Sequence, residues 1–176
     1  MNMDFQEETH WCWAAVAVAI HNFLNPGGPK WQQADVATPV LLAEGQIDSG
    51  VNCSLTPGKC NIDAALDDAL EITGNLRQTG FHPDSHLTFD NIKEWVNAEL
   101  PVGVRIRWWG GTGHFVAIDG FRELQSGRLQ VHVQDPKYGP SFQDYDDLVS
   151  GYRLGGDWQD TYLVKKSSLA PPDGDI

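Results

Sequence analysis

The sequence predicts an α+β fold, with helices in its N-terminal part and an antiparallel sheet after them. Three observations predict it. The run from Cys12 to Ile20 is apolar throughout and rich in alanine, which suits a helix buried on every side. Ile62, Ala65, Leu66, Ala69 and Leu70 recur at helical spacing, as do Ile92, Trp95 and Val96. After Pro101 the period falls to two, with Val102, Val104 and Ile106 alternating with Gly103, Arg105 and Arg107.

The first helix is expected over 12–24, ended by Asn25-Pro26-Gly27-Gly28-Pro29. Residues 30–44 read as one or two short helices broken near Thr38-Pro39. A loop rich in Gly, Ser, Asn and Pro follows and carries Cys53, with Cys60 at its far end. Asn61 is a good N-cap for the next helix, and Gly74 supplies its stop. Residues 75–85 read as loop or irregular strand, and 88–100 as a helix closed by Pro101. Strands are then expected over 102–107, 114–121 and 129–134, with a bulge at Gly120. A short helix over 141–149 and a last strand over 158–164 complete the pattern. The tail from Lys165 is polar and Pro-rich, and fraying is expected there.

The chain of 176 residues is long enough for one domain, 1–176, of two lobes. The helical lobe is expected over about 1–100, the β lobe over about 101–165, and a polar tail over 166–176. Apolar residues at 41% and charged ones at 20% suit a globular protein. The formal net charge of −12 argues against nucleic acid or an anionic membrane as partner and suits a basic polypeptide. The run from Trp11 to Ile20 is too short to span a bilayer. Asp4, Glu7 and Glu8 stand before it where a signal peptide needs positive charge. The compartment stays open between cytoplasm, export without a cleaved signal, and removal of a leader. No oligomeric state is legible.

The chemistry gathers at the head of the first helix. Cys12 falls in its first turn, where free N–H groups and the positive end of the macrodipole favour a thiolate, the nucleophilic form. Gln6 precedes it on the entering loop, from which its amide can donate to an oxyanion beside Cys12. The Cys12 N–H is the second donor. A glutamine, five residues, a cysteine and a tryptophan opening an Ala-rich helix resemble the papain-like cysteine peptidases. The closer likeness is to compact bacterial members, the peptidases that trim bacteriocin leaders and the secreted effector peptidases. The resemblance implies a helical lobe packed on an antiparallel β-rich lobe, with the active cleft between them and the boundary near Pro101.

It also implies partners for the cysteine. His114 follows Gly113 at the start of an apolar strand, a place similar to that of the family's catalytic histidine, and a base there can reach a cleft. Asp135, at the end of a later strand, is the candidate to orient the imidazole. Papain has Asn at this step. The compact bacterial relatives carry Asp followed by Pro, as in Asp135-Pro136 here. Trp13, His10, Trp109 and Gly113 are the candidates for lining a substrate cleft. A lone Cys or strand His is usually structural; four matched elements in order are what favour chemistry.

The remaining motifs are weaker. Asp119 is the rival acid, but its odd offset from His114 points it to the opposite face of the strand. His21, His82, His86 and His132 fall on a helix, in a loop and on an outward strand position. Cys53 and Cys60 lack the Cys-x-x-Cys of a zinc site and read as loop cysteines, free or joined in a short disulfide. No metal or cofactor is called for. The leading expectation is a thiol peptidase acting on a protein or peptide. The alternatives are a transglutaminase-like acyl transferase with the same triad and a silent, effector-like binding module.

Overall fold

The computed structural model describes residues 1–167 and 169. The elements run in the order α1 (Cys12–Leu24), α2 (Gln33–Ala43), α3 (Leu66–Ile72), β1 (Leu76–His82), α4 (Phe89–Asn97), β2 (Val102–Trp108), β3 (Gly113–Glu123), β4 (Leu129–Gln134), β5 (Ser141–Asp144), α5 (Tyr145–Ser150), β6 (Gly151–Tyr152) and β7 (Gly156–Val164). The strands form one antiparallel sheet in the order β1-β7-β2-β3-β4-β5, with β6 paired to β7. This is an α+β arrangement, one antiparallel sheet with helices on both faces. Among the described residues no helix is long and apolar enough to cross a membrane.

Burial follows the period of the strands. On β3, Phe115 and Ala117 face α1, α2 and α3, together with Tyr162 and Val164 of β7. Val116 and Ile118 face the other way, into a core shared with Phe89 and Ile92 of α4 and Leu148 of α5. The sheet is therefore covered on both faces. α1 is the most enclosed helix, with Trp13, Ala14, Val16, Ala17 and Ile20 fully buried. Its alanines let neighbours approach closely, so a larger side chain at Ala17 would overpack the layer by about 1–3 kcal/mol. Pro101 does not divide the packing: β1 precedes it and joins the sheet, and α4 precedes it and packs on β3.

Four expectations change. α2 continues through Pro39 instead of breaking there. Its buried face of Ala34, Val36, Ala37, Val40 and Leu41 outweighs the one N–H that Pro39 lacks. Asp35 also caps it, accepting from Gln32 N at 2.7 Å. Asn61 is not an N-cap. Residues 61–65 are extended, and the helix begins at Leu66. Tertiary hydrogen bonds claim this strap: Trp11 Nε1 donates to Cys60 O (2.6 Å), Trp13 Nε1 to Ile62 O (3.2 Å) and His10 N to Asn61 Oδ1 (2.9 Å).

Residues 76–82 form an edge strand on β7, irregular as expected, with a register shift between Leu76 and Phe81. The segment expected as one helix over 141–149 is β5 followed by α5. Gln130 of β4 and Arg128 just before it hold Asp144 and keep Ser141–Asp144 on the sheet edge. β7 starts two residues earlier than expected, at Gly156, where a Cβ would lie 2.4 Å from Ile106. Most of the polar tail lies outside the described residues. The bulge at Gly120 is present, between Ile118 and Gly120.

Cys53 and Cys60 are joined, with Cα atoms 5.6 Å apart. The bridge staples the loop whose Cys53 N–H bonds Thr38 Oγ1 and whose end leads into the strap beside α1. For a loop this short the chain-entropy term is about 2 kcal/mol. Replacing both cysteines with serine should lower the unfolding midpoint accordingly and leave kcat within about twofold, since neither lines the cleft of Cys12 and His114. Chemical denaturation and peptide turnover measured on the same preparation check this.

Candidate active site

Helix α1 presents Cys12 at its first turn, buried and outside any disulfide. The first N–H groups of a helix have no intrahelical acceptor, so the backbone around Cys12 is a donor surface. β3 presents His114 on the same cleft that Cys12 lines. His114 Nε2 lies 2.9 Å from Asp135 Oδ1, which leaves Nδ1 as the ring nitrogen not engaged by the carboxylate. Both side chains are almost fully buried.

The carboxylate of Asp135 is saturated. Oδ1 also accepts from Lys137 N (2.8 Å) and Tyr138 N (3.0 Å), and Oδ2 accepts from the Tyr152 hydroxyl (2.6 Å). Burial by itself would raise this carboxyl. The hydrogen bonds from His114, Tyr152 and Lys137 and the charge of His114 outweigh it and hold Asp135 below the ordinary range. Burial works against charging His114 too. Asp135 and Cys12 overcome it and push the imidazolium up to about 9. His114 is further framed by Trp108, stacked at 6.4 Å, and by the edge of Tyr138 at 6.2 Å.

Asp119 belongs to a separate cluster. Its Oδ1 accepts from His132 Nδ1 (2.6 Å) and its Oδ2 from Gln134 Nε2 (2.9 Å). His21 is buried against Asn75, at 2.8 Å.

Cys12 and His114 open onto a cleft of about 800 Å³. Gln6, His10 and Gly113 line it. Gln6 Nε2 donates to Glu8 O (2.9 Å) and Thr9 O (2.7 Å), so both of its N–H groups rest on main-chain carbonyls. Gln6 N donates to Pro136 O at 2.9 Å, which ties the N-terminal loop to the Asp135 turn. Two expected cleft residues lie elsewhere. Trp13 is fully buried beneath the strap because its indole serves Ile62 O. Trp109 is 84% exposed on the turn after β2, where the strand's inward parity has already been spent on Trp108.

Trp108, Tyr138 and Tyr152 were missed from the sequence. Continuing the alternation of Val104 and Ile106 points to Trp108 as the inward tryptophan. Nothing local signals Tyr152. The far wall of the cleft, with Asp63, Asp67 and Asp160 beside Arg105, Phe81 and Tyr162, is also a product of chain crossing. Among the described residues no group of three His, Cys, Asp or Glu is placed to hold a metal.

A cysteine at the head of a buried helix, facing a histidine on an antiparallel sheet, defines the class of papain-like cysteine proteases. The chain belongs to the family described as papain-like cysteine protease AvrRpt2, whose model matches residues 1–147. Its fold is similar to that of the bromelain protease from Ananas comosus in complex with the E64 inhibitor, at a TM-score of 0.54 and 13% identity over 93% of each chain. It is similar also to the Amb a 11 cysteine protease, a major ragweed pollen allergen, in its proform, at a TM-score of 0.54 and 15% identity. That match covers 100% of this chain, which spans 59% of the proform. At such identities the likeness is one of fold. No curated protein matches the chain in sequence.

The raised His114 and lowered Asp135 carry a linkage sign. A folded-state value of about 9 against an ordinary 6.5 gives stability that is complete below 6.5 and lost as pH rises through 9. Asp135 contributes above its ordinary value and loses that contribution in acid. The unfolding free energy of the wild type over His114→Gln should therefore be largest at pH 5–6.5 and shrink steadily toward pH 9.5. Urea titrations across this range test it; a constant difference would remove the ion pair as the cause.

Proposed function

We propose that this protease hydrolyses peptide bonds in protein substrates through a triad of Cys12, His114 and Asp135, with Gln6 as an oxyanion donor. The observation that carries the reading is the buried His114–Asp135 contact of 2.9 Å, on an imidazole that lines the same cleft as Cys12. An imidazole held protonated beside a thiol favours the thiolate–imidazolium pair.

The Cys12 thiolate attacks the scissile carbonyl carbon, and the carbonyl oxygen becomes the oxyanion. His114 Nδ1–H passes its proton to the leaving nitrogen as the C–N bond breaks, leaving a thioester on Cys12. Neutral His114 then takes a proton from water, which attacks the thioester. The C–S bond breaks, the acid product leaves and the thiolate–imidazolium pair returns. Asp135 accepts the Nε2–H throughout and fixes the ring plane. The oxyanion faces the N–H of Cys12 and the amide of Gln6. Gln6 reaches it by releasing one of its two carbonyl contacts, with Glu8 or Thr9. The acidic far wall of the cleft supports a substrate carrying basic side chains.

Cys12→Ala should abolish cleavage of a peptide selected from a mixed library, and an electrophilic peptide probe should form a mass adduct on Cys12 alone. Turnover that survives Cys12→Ala would sink the reading. Gln6→Ala should lower kcat by roughly a hundredfold with little change in fold, the usual scale for an oxyanion donor. An unchanged kcat would take Gln6 out of the mechanism.

A cysteine site places a milder demand on its third residue than a serine triad does, because both imidazole nitrogens already carry protons. An asparagine oxygen can replace Oδ1 and still accept from His114, Lys137 N and Tyr138 N. Asp135→Asn should therefore keep a substantial part of kcat/KM, and Asp135→Ala should lose much more. Asp119→Asn should change little. If Asp119→Asn were crippling and Asp135→Ala mild, the third residue would be misassigned.

A further inference from the structure

We propose that Tyr152 is a positioning residue of this site, whose hydroxyl holds Asp135 and, through it, the imidazole of His114. The inference rests on Asp135 being the third member of the triad. Tyr152 lies on β6, past residue 147 where the family match ends.

The geometry singles out one oxygen. Oδ1 of Asp135 has three donors, from His114, Lys137 and Tyr138. Oδ2 has the Tyr152 hydroxyl at 2.6 Å, while Arg153 Nε stays 3.7 Å away. Both Tyr152 and the Asp135 side chain are fully buried. A buried carboxylate oxygen without a donor is unfavourable, and the carboxylate would rotate to find one. Any such rotation turns Oδ1 and the imidazole resting on it. A phenol is suited to this place. It donates strongly, and burial and the neighbouring Asp135 raise its own ionisation, so it stays protonated. It adds no positive charge to compete with the imidazolium.

The chain goes to some length to place this hydroxyl. Arg153 and Leu154 adopt left-handed backbone angles, φ 47° and 69°, uncommon for residues other than glycine. The turn is closed by Leu154 N to Gly151 O (3.0 Å) and Gly155 N to Tyr152 O (3.2 Å). It reverses the chain between β6 and β7 directly under the site. Trp108 lies against both rings, 6.2 Å from Tyr152 and 6.4 Å from His114. Arg153 donates to the Tyr152 oxygen at 3.3 Å and lies 4.2 Å over the Tyr138 ring, whose edge meets His114.

The experiment is a double-mutant cycle on Tyr152→Phe and Asp135→Ala, reading kcat and KM on one cleavable peptide with folding followed by circular dichroism. Phenylalanine keeps the ring against Trp108 and removes only the hydroxyl. Tyr152→Phe should lower kcat about tenfold, the scale of one hydrogen bond to a buried charge, and leave KM unchanged. In the Asp135→Ala background the same change should alter kcat by less than about twofold, because the residue it acts through is gone. A role in packing alone would not depend on the background.

An unchanged kcat in Tyr152→Phe, or an equal loss in both backgrounds, overturns the proposal while the triad stands. A mild Asp135→Ala brings down the triad reading and this inference with it. If Tyr152→Phe loses its folded signal, Tyr152→Gln and Tyr152→Leu carry the test. Glutamine keeps an N–H donor, so it must be the faster of the two, and equal rates overturn the proposal.

Discussion

The burial of α1 is the constraint on which the rest of this structure depends. A helix of alanine, valine and isoleucine with no polar face must be covered all round, and it is covered by α2, α3 and β3. That packing sets the depth and tilt of its first turn, and so the position of Cys12. The disulfide-stapled loop and the strap over 61–65 then close over the two indoles that flank the cysteine. Each indole has one N–H: that of Trp11 finds Cys60 O at the disulfide, and that of Trp13 finds Ile62 O in the strap. The burial of two tryptophans thus holds in place the extended segment that borders the cleft.

The second organising element is a single carboxylate. Asp135 gathers donors from a strand, a turn and a two-residue strand far along the chain. Pro136 next to it receives the main-chain N–H of Gln6. The elements that carry the sulfur, the imidazole and the amide are therefore cross-linked close to the chemistry. A buried charge survives there because every lone pair that matters is filled. The same saturation explains the opposite displacements of the two partners, with His114 kept protonated and Asp135 kept ionised.

Where local reading and structure part, tertiary contacts have outbid local preference. Pro39 is tolerated in α2 because the helix has one face to bury and the core accepts it. Asn61 has the right side chain for an N-cap, yet Thr9 and His10 take it instead. Ser141–Asp144 pairs with β4 because that edge of the sheet offers unpaired backbone groups and side-chain donors for Asp144. The two tryptophans at 108 and 109 differ by one step of a two-residue period, and that step decides which of them meets the histidine.

The α+β class, the buried first helix and the strands after Pro101 were determined by apolar periodicity, which depends only on the order of residues. So were the family likeness and the candidates Gln6, Cys12, His114 and Asp135, because their spacing is local to short motifs. The seating of Asp135 among four donors, the resting place of the Gln6 amide, the retreat of Trp13 and the arrival of Tyr152 were decided by the tertiary structure. Each depends on which strand lies beside which and on which buried donor reaches which acceptor. Hydrogen bonds between residues far apart in sequence leave no periodic trace in the chain that makes them.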